Sequence, residues 1–173
     1  MRCERMNRGT IQVICGEGKG KTTAAFGMGI EALMKNRNVI IIQFLKGCTG
    51  RGSLDIIKRL EPELKIFRFE KCDGLFENLS KEEQEEEQMN IRNGLNFARK
   101  VVSTGECDLL ILDEILGILD QNIIEAEELI RLLQSKVDDM EVVLTGKVFS
   151  KEIEPYVDSI LEINHVKVDN TKQ

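Results

Sequence analysis

An apolar run, Ile11-Gln12-Val13-Ile14-Cys15, feeds directly into Gly16-Glu17-Gly18-Lys19-Gly20-Lys21-Thr22-Thr23, and a helix-like Ala24-Ala25-Phe26 follows. A strand, a glycine-rich turn and a helix start in that order form a phosphate-binding device. Glycines lacking Cβ let the backbone curl round an anion, and the helix N-terminus adds a partial positive charge. Lys21 supplies a full charge, and Thr22 stands where this loop type holds a magnesium ion that bridges phosphate oxygens. The general pattern places a glycine five residues before Gly20, but Cys15 occupies that position and the glycine is Gly16. The loop is therefore expected to be one residue tighter than the general form.

Such a unit needs partners for its strand. Val39-Ile40-Ile41-Ile42-Gln43-Phe44-Leu45 is a continuous, largely β-branched run, as expected of a parallel strand covered on both faces. A mostly buried helix over Thr23 to Lys35 separates it from the first strand, and Asn36-Arg37-Asn38 ends that helix. The glycine-rich segment from Lys46 to Gly52 should sit at the carboxyl end of the second strand, where ligands of open α/β sheets bind. Lys46 and Arg51 are candidate anion contacts there, with solvated loop charges as the alternative.

A short helix from Ser53 to Leu60 and a strand over Leu64 to Phe69 are expected next. Ser80 with Glu83 three residues on is a capping box that opens a long helix to about Thr104. The acidic run Glu82 to Glu87 reads as a water-facing helix start rather than a metal site. Asp108-Leu109-Leu110-Ile111-Leu112-Asp113-Glu114 is the second anchor, an apolar strand that ends in two carboxylates. Beside a phosphate loop, such a tip can hold magnesium directly or through water.

Asn122 and Glu125 are expected to cap a helix running to about Lys136. Glu141 to Lys147 reads as a further parallel strand, whose Thr145 and Lys147 could reach phosphate. A short helix from Ser150, broken near Pro155, and a last strand over Ser159 to Ile163 complete the order. Residues 1–8 and 169–173 are polar and expected to be flexible. The 173 residues are thus expected to form a single α/β domain, a three-layer P-loop fold of the RecA type with a mostly parallel central sheet.

Composition narrows the function. A net charge of −6, with no basic stripe interleaved with aromatics, disfavours a nucleic-acid partner, so the phosphate belongs more naturally to a small molecule. Five scattered cysteines, never spaced C-x-x-C, point to reduced thiols and the cytoplasm. No apolar run is long enough to suggest a membrane span or signal peptide. With one histidine, His165, near the chain end, a serine or cysteine nucleophile paired with an imidazole base is hard to build.

In order and spacing, Gly16 to Gly27, Gln43-Phe44-Leu45-Lys46-Gly47, Leu110 to Glu114 and Leu144-Thr145-Gly146-Lys147 resemble the P-loop ATP:corrinoid adenosyltransferases. These act on cob(I)alamin or cob(I)yrinic acid a,c-diamide, in cobalamin biosynthesis or salvage. The resemblance runs from about Thr10 to Lys167 and includes the shifted glycine. It implies transfer of the 5′-deoxyadenosyl group of ATP to the cobalt of a reduced corrinoid, with triphosphate released. Cobalt(I) is itself the nucleophile and triphosphate the leaving group, so no protein base is required and the missing histidine ceases to be a difficulty.

By matching position, Gly16, Glu17, Gly18, Lys19, Gly20, Lys21, Thr22 and Thr23 would wrap the triphosphate, and Lys21 would offset its growing charge. Thr22 and Glu114 would hold Mg2+, and Asp113 would support them from behind. The resemblance also implies a homodimer and a reductase partner such as a flavoprotein. Departures lie on the corrinoid side. Few residues precede the first strand, no tryptophan stands in the loop before the long helix, and the chain after Val166-Lys167-Val168 is short. Phe76 is the one aromatic left there as a corrinoid contact. Two other classes share the phosphate loop: an NTPase or small-molecule kinase, which would yield ADP, and a non-catalytic ATP or corrinoid sensor.

Overall fold

The computed structural model describes residues 8–45, 58–69 and 76–166. Expectations placed on Lys46, Arg51, the start of the helix at Ser53 and the two chain ends lie outside the described residues. The strands are β1 Ile11–Cys15, β2 Val39–Gln43, β3 Leu64–Arg68, β4 Leu109–Asp113, β5 Glu141–Thr145 and β6 Ser159–Glu162. The helices are α1 Lys21–Met34, α2 Lys81–Thr104, α3 Ile115–Asp120 and α4 Ala126–Gln134. Single-turn 3-10 segments occupy Lys58–Leu60 and Phe76–Asn78, and a longer one Lys151–Tyr156.

The six strands form one sheet in the order β3-β2-β4-β5-β1-β6. All described pairings are parallel, as apolar strands alternating with helices require. Side chains alternate across the sheet and build a core on each face. Ile14, Val39, Ile41, Leu109, Ile111 and Val143 pack with Ala25 and Ala32 of α1. Ile40, Ile42, Leu110, Leu112, Val142 and Leu144 pack against α2, α3 and α4 on the other. The result is three layers. Each fully buried Leu or Ile contributes about 1.5–3 kcal/mol relative to exposure, which is why the uninterrupted β2 and β4 runs occupy the sheet's interior.

Register sets the functional edge. Gln43 pairs with Arg68 on one side and with Asp113 on the other, and Leu112 pairs with Leu144. The final residues of β3, β2, β4 and β5 therefore form one row at the carboxyl edge. Because β5 lies between β1 and β4, Thr145 stands between the phosphate loop and the acidic tip.

Helix boundaries follow local chemistry with some exceptions. Ser80 opens α2 through the expected capping box, with Glu83 N–H donating to Ser80 Oγ at 3.3 Å and Ser80 N–H to Glu83 Oε2 at 2.8 Å. Gly105, in the left-handed region at φ 67°, closes it. The acidic run is not all surface: Glu87 is buried, because its turn of α2 lies on the same inward stripe as Ile91, Leu95 and Ala98. The capping expected of Asn122 and Glu125 also differs. Neither side chain caps α4; Glu125 takes the N-cap position without a side-chain bond, and Asn122 makes a left-handed turn at φ 54°. That turn is needed because a helix the pattern had not separated, α3, buries Ile115, Leu116 and Ile118 immediately before it. Among the described residues, no helix is long and apolar enough to cross a membrane.

Candidate active site

The phosphate loop is shaped by backbone bonds. Gly16 N–H donates to Lys147 O at 2.9 Å and Gly18 N–H to Ile163 O at 2.7 Å, while Ile163 N–H returns to Cys15 O at 2.8 Å. The segment after β6 thus lies against the loop. It explains two glycines: a Cβ on Gly16 or Gly18 would come within 2.4 or 2.6 Å of Ile163 O, and Gly16 also sits at φ 110°. Lys21 Nζ donates to the carbonyls of Gly16 at 2.7 Å and Gly18 at 2.9 Å, so its charge is held over the loop.

The acidic tip is built from side chains. Asp113 is fully buried. Its Oδ1 accepts from Thr22 Oγ1 at 2.9 Å and Thr145 Oγ1 at 2.7 Å, and its Oδ2 accepts from Gln43 Nε2 at 2.9 Å. One carboxylate therefore ties the first turn of α1 to three neighbouring strands. Thr145 in turn accepts the Glu114 backbone N–H at 2.9 Å. That bond accompanies a left-handed backbone at Glu114, φ 63°, an uncommon conformation for a side-chain-bearing residue. Gln43 receives Arg68 Nε on its carbonyl oxygen at 2.9 Å.

The oxygens of Thr22, Glu114 and Asp113 fit a hard divalent cation, which takes one or two carboxylates together with substrate phosphates and water. Thr22 spends its hydroxyl hydrogen on Asp113, which leaves oxygen lone pairs as the ligand-forming feature of that side chain. Among the described residues there is no group of three or more His, Cys, Asp or Glu side chains that could hold a metal ion.

The expected residues divide as follows. Thr22 and Asp113 come together at the junction of the loop and β4, Lys21 lies on the loop's own carbonyls, and Glu114 follows Asp113 in the chain with its backbone N–H on Thr145. Glu17, Lys19 and Thr23 are exposed, and Glu17 pairs with Lys147 at 3.0 Å. Phe76 is half-buried and packs against the core on the α2 side. Thr145 departs from its expected role: it is buried and donates to Asp113, because β5 inserts between β1 and β4. Gln43, Arg68 and Asn164 had not been singled out. His165, set aside on sequence grounds, has Nε2 3.4 Å from the Lys19 amide nitrogen, and Asn164 Oδ1 lies 3.4 Å from that of Glu17. These neighbours are separated by more than 140 residues, so local pattern carried no signal for them. Cys15, buried just before the loop, has its thiol pKa raised by burial first and by Glu162 second, which suits packing rather than nucleophilic attack.

Along most of its length the chain is similar to known proteins. The model of a family described as ATP:corrinoid adenosyltransferase BtuR/CobO/CobP matches residues 7–173. A corrinoid adenosyltransferase of Escherichia coli K12 is 28% identical over 160 residues, which span 92% of this chain and 79% of that protein. The corrinoid adenosyltransferase CobA of Salmonella typhimurium LT2 is 29% identical over 160 residues, with the same shares. A crystal structure of a KaiC-like protein from Pyrococcus horikoshii superposes with a TM-score of 0.62 over 94% of this chain and 76% of the other, at 19% identity, a likeness of fold alone.

Proposed function

This chain belongs to the ATP:corrinoid adenosyltransferase family, and we propose that its reaction is run from the junction of the phosphate loop and the β4 tip. The observation that carries the reading is the 2.9 Å bond from Thr22 to buried Asp113, which locks the loop's helix to the acidic strand. Gly16 to Thr23 wrap the triphosphate of ATP. Lys21 leaves its two loop carbonyls for the phosphate oxygens and offsets the charge that grows on the leaving group. Thr22 and Glu114 hold Mg2+, and Asp113 orients both, Thr22 directly and Glu114 through Thr145. When bound, the ion supplies charge neutralisation between phosphate oxygens.

The corrinoid's cobalt(I) contributes the electron pair that forms the cobalt–carbon bond to C5′, and the carbon–oxygen bond breaks with its pair going to triphosphate. No proton changes hands at C5′. The chain's work is therefore orientation and electrostatics. Phe76 and Lys46 are proposed for the corrinoid and anion sides respectively. A homodimer, a flavoprotein reductase and a cytoplasmic setting belong to the same reading; the buried free thiols Cys15 and Cys107 suit a reducing compartment.

The test is anaerobic incubation of the purified protein with ATP, magnesium and cob(I)alamin, or cob(I)yrinic acid a,c-diamide, with the corrinoid spectrum followed and the nucleotides separated. A light-sensitive adenosylcorrinoid with free triphosphate is the expected product. ADP and phosphate with unchanged corrinoid would mean that the loop serves β–γ cleavage instead.

A further inference from the structure

The carboxyl edge of the sheet carries a row of hydrogen bonds that extends past the proposed metal-holding pair. It runs from Thr22 and Thr145 through Asp113 to Gln43 and ends on Arg68, the last residue of edge strand β3. Two strand spacings, about 10 Å, separate Arg68 from the β4 tip. We propose that Arg68 is a positioning residue for the metal-holding pair, acting through the side-chain amide of Gln43. The proposal rests on the reading of Thr22 and Glu114 as that pair.

The argument is one of forced orientation. A carboxylate oxygen can only accept from the Gln43 amide, so the amide must present its NH2 to Asp113 Oδ2. Its carbonyl oxygen then faces the other way, toward β3. Gln43 is only 3% exposed, so that oxygen needs a protein donor. Arg68 Nε supplies it at 2.9 Å, and a guanidinium nitrogen can only donate. Both neighbours thus dictate the same amide orientation, and neither tolerates the flipped one. Asp113 is anchored on Oδ2 by an amide that cannot turn, while its Oδ1 holds Thr22 and Thr145. Register makes the row possible, since Gln43 pairs with both Arg68 and Asp113.

Loss of the guanidinium leaves the buried Gln43 carbonyl oxygen without its donor, so the side-chain amide is no longer held from the β3 side. A shift of that side chain toward another donor would draw its NH2 off Asp113 Oδ2, and the carboxylate would move, taking the Thr22 hydroxyl and the Thr145-held Glu114 backbone with it. The consequence falls on metal uptake by the ATP complex and leaves metal-free nucleotide binding alone.

The probe is Mn2+ in place of Mg2+, titrated by electron paramagnetic resonance into the full-length protein with ATP and no corrinoid. Arg68→Met is expected to weaken Mn2+ uptake about tenfold, the lower end of effects from groups that orient metal ligands. ATP affinity in chelator should stay unchanged. Arg68→Lys, which keeps a donor on a chain of similar length, should recover most of the loss. In a Gln43→Met background the Arg68→Met change should add less than about twofold, because the relay is already cut. Mn2+ affinity within twofold of wild type in Arg68→Met, or an equal loss in the Gln43→Met background, would overturn the relay. So would a variant that alters corrinoid turnover alone, since Arg68 would then serve the other substrate. Should Arg68→Met fail to fold, a Lys variant that binds Mn2+ no better than Gln43→Met also overturns it. Wild-type metal uptake that is indifferent to Thr22→Val and Glu114→Gln marks failure of the parent reading instead, and the relay falls with it.

Discussion

The phosphate loop and the β4 tip lie side by side and are built in opposite ways. The loop is half exposed, and its main chain takes part in nearly all the bonds that shape it, with glycines where Ile163 O leaves no room for a Cβ. The tip is buried and held by side chains, with three donors converging on Asp113. The difference teaches where each half is vulnerable. On the proposed function, activity in the loop would hang on one lysine and on backbone shape, whereas at the tip binding and stability would fall to different members of an adjacent carboxylate pair.

The comparison is broken most sharply by Lys21→Ala. Loss of the charge that bridges the loop and the leaving group is expected to cut triphosphate release by about 10²–10³-fold with little change in melting temperature, and steady-state assay beside calorimetry checks both. Next comes the tip. Asp113→Ala strands the donors of Thr22, Thr145 and Gln43 and should cost about 1–3 kcal/mol or more, seen as a lowered urea midpoint. Glu114→Gln should stay within about 0.5 kcal/mol of wild type yet lose metal-dependent ATP binding. Equal stability losses in both would erase the division of labour.

Glycines sharpen the contrast. Gly18→Ala should cost about 1–3 kcal/mol and weaken ATP binding, because its Cβ would meet Ile163 O at 2.6 Å. Gly27→Ala, a few residues on in α1 with open space around the added methyl, should instead stabilise by about 0.5–1 kcal/mol. Thermal unfolding of the two variants side by side gives the sign.

The strand side should also show an alkaline limit. Burial pushes the Cys107 thiol, just ahead of β4, from its ordinary 9.0 to about 12. The folded chain keeps a proton there that the unfolded chain releases, so this contribution is intact below pH 9 and is lost as pH rises toward 12. Urea midpoints measured across that window should fall with pH, and Cys107→Ala should flatten the slope. The smallest effect is expected of His165→Ala: an exposed 3.4 Å contact to the Lys19 amide should alter ATP affinity by no more than about threefold, measured by calorimetry.

Much of this was legible in the chain. The order of strands and helices, the capping box at Ser80 and the pairing of a phosphate loop with an acidic strand end are local patterns of spacing and residue type, and local patterns survive in one dimension. The hydrophobic run from Val39 likewise marked β2 as a strand covered on both faces, and it lies inside the sheet. The loop's glycines were legible as a motif, but their cause was not, since Ile163 arrives from the far end of the sequence.

The phosphate loop, the carboxylate pair and the parallel α/β class follow from the chain alone, because each depends on neighbours within a few residues or on periodic burial. Only the tertiary structure decided that β5 lies between β1 and β4, so that Thr145 serves Asp113 rather than phosphate. It likewise decided that Glu87 is buried and that Gln43 and Arg68 complete a row behind the site. Strand order and register are set by how the whole core packs, and hydrogen bonds between residues 25 to 147 positions apart exist only once that packing is complete.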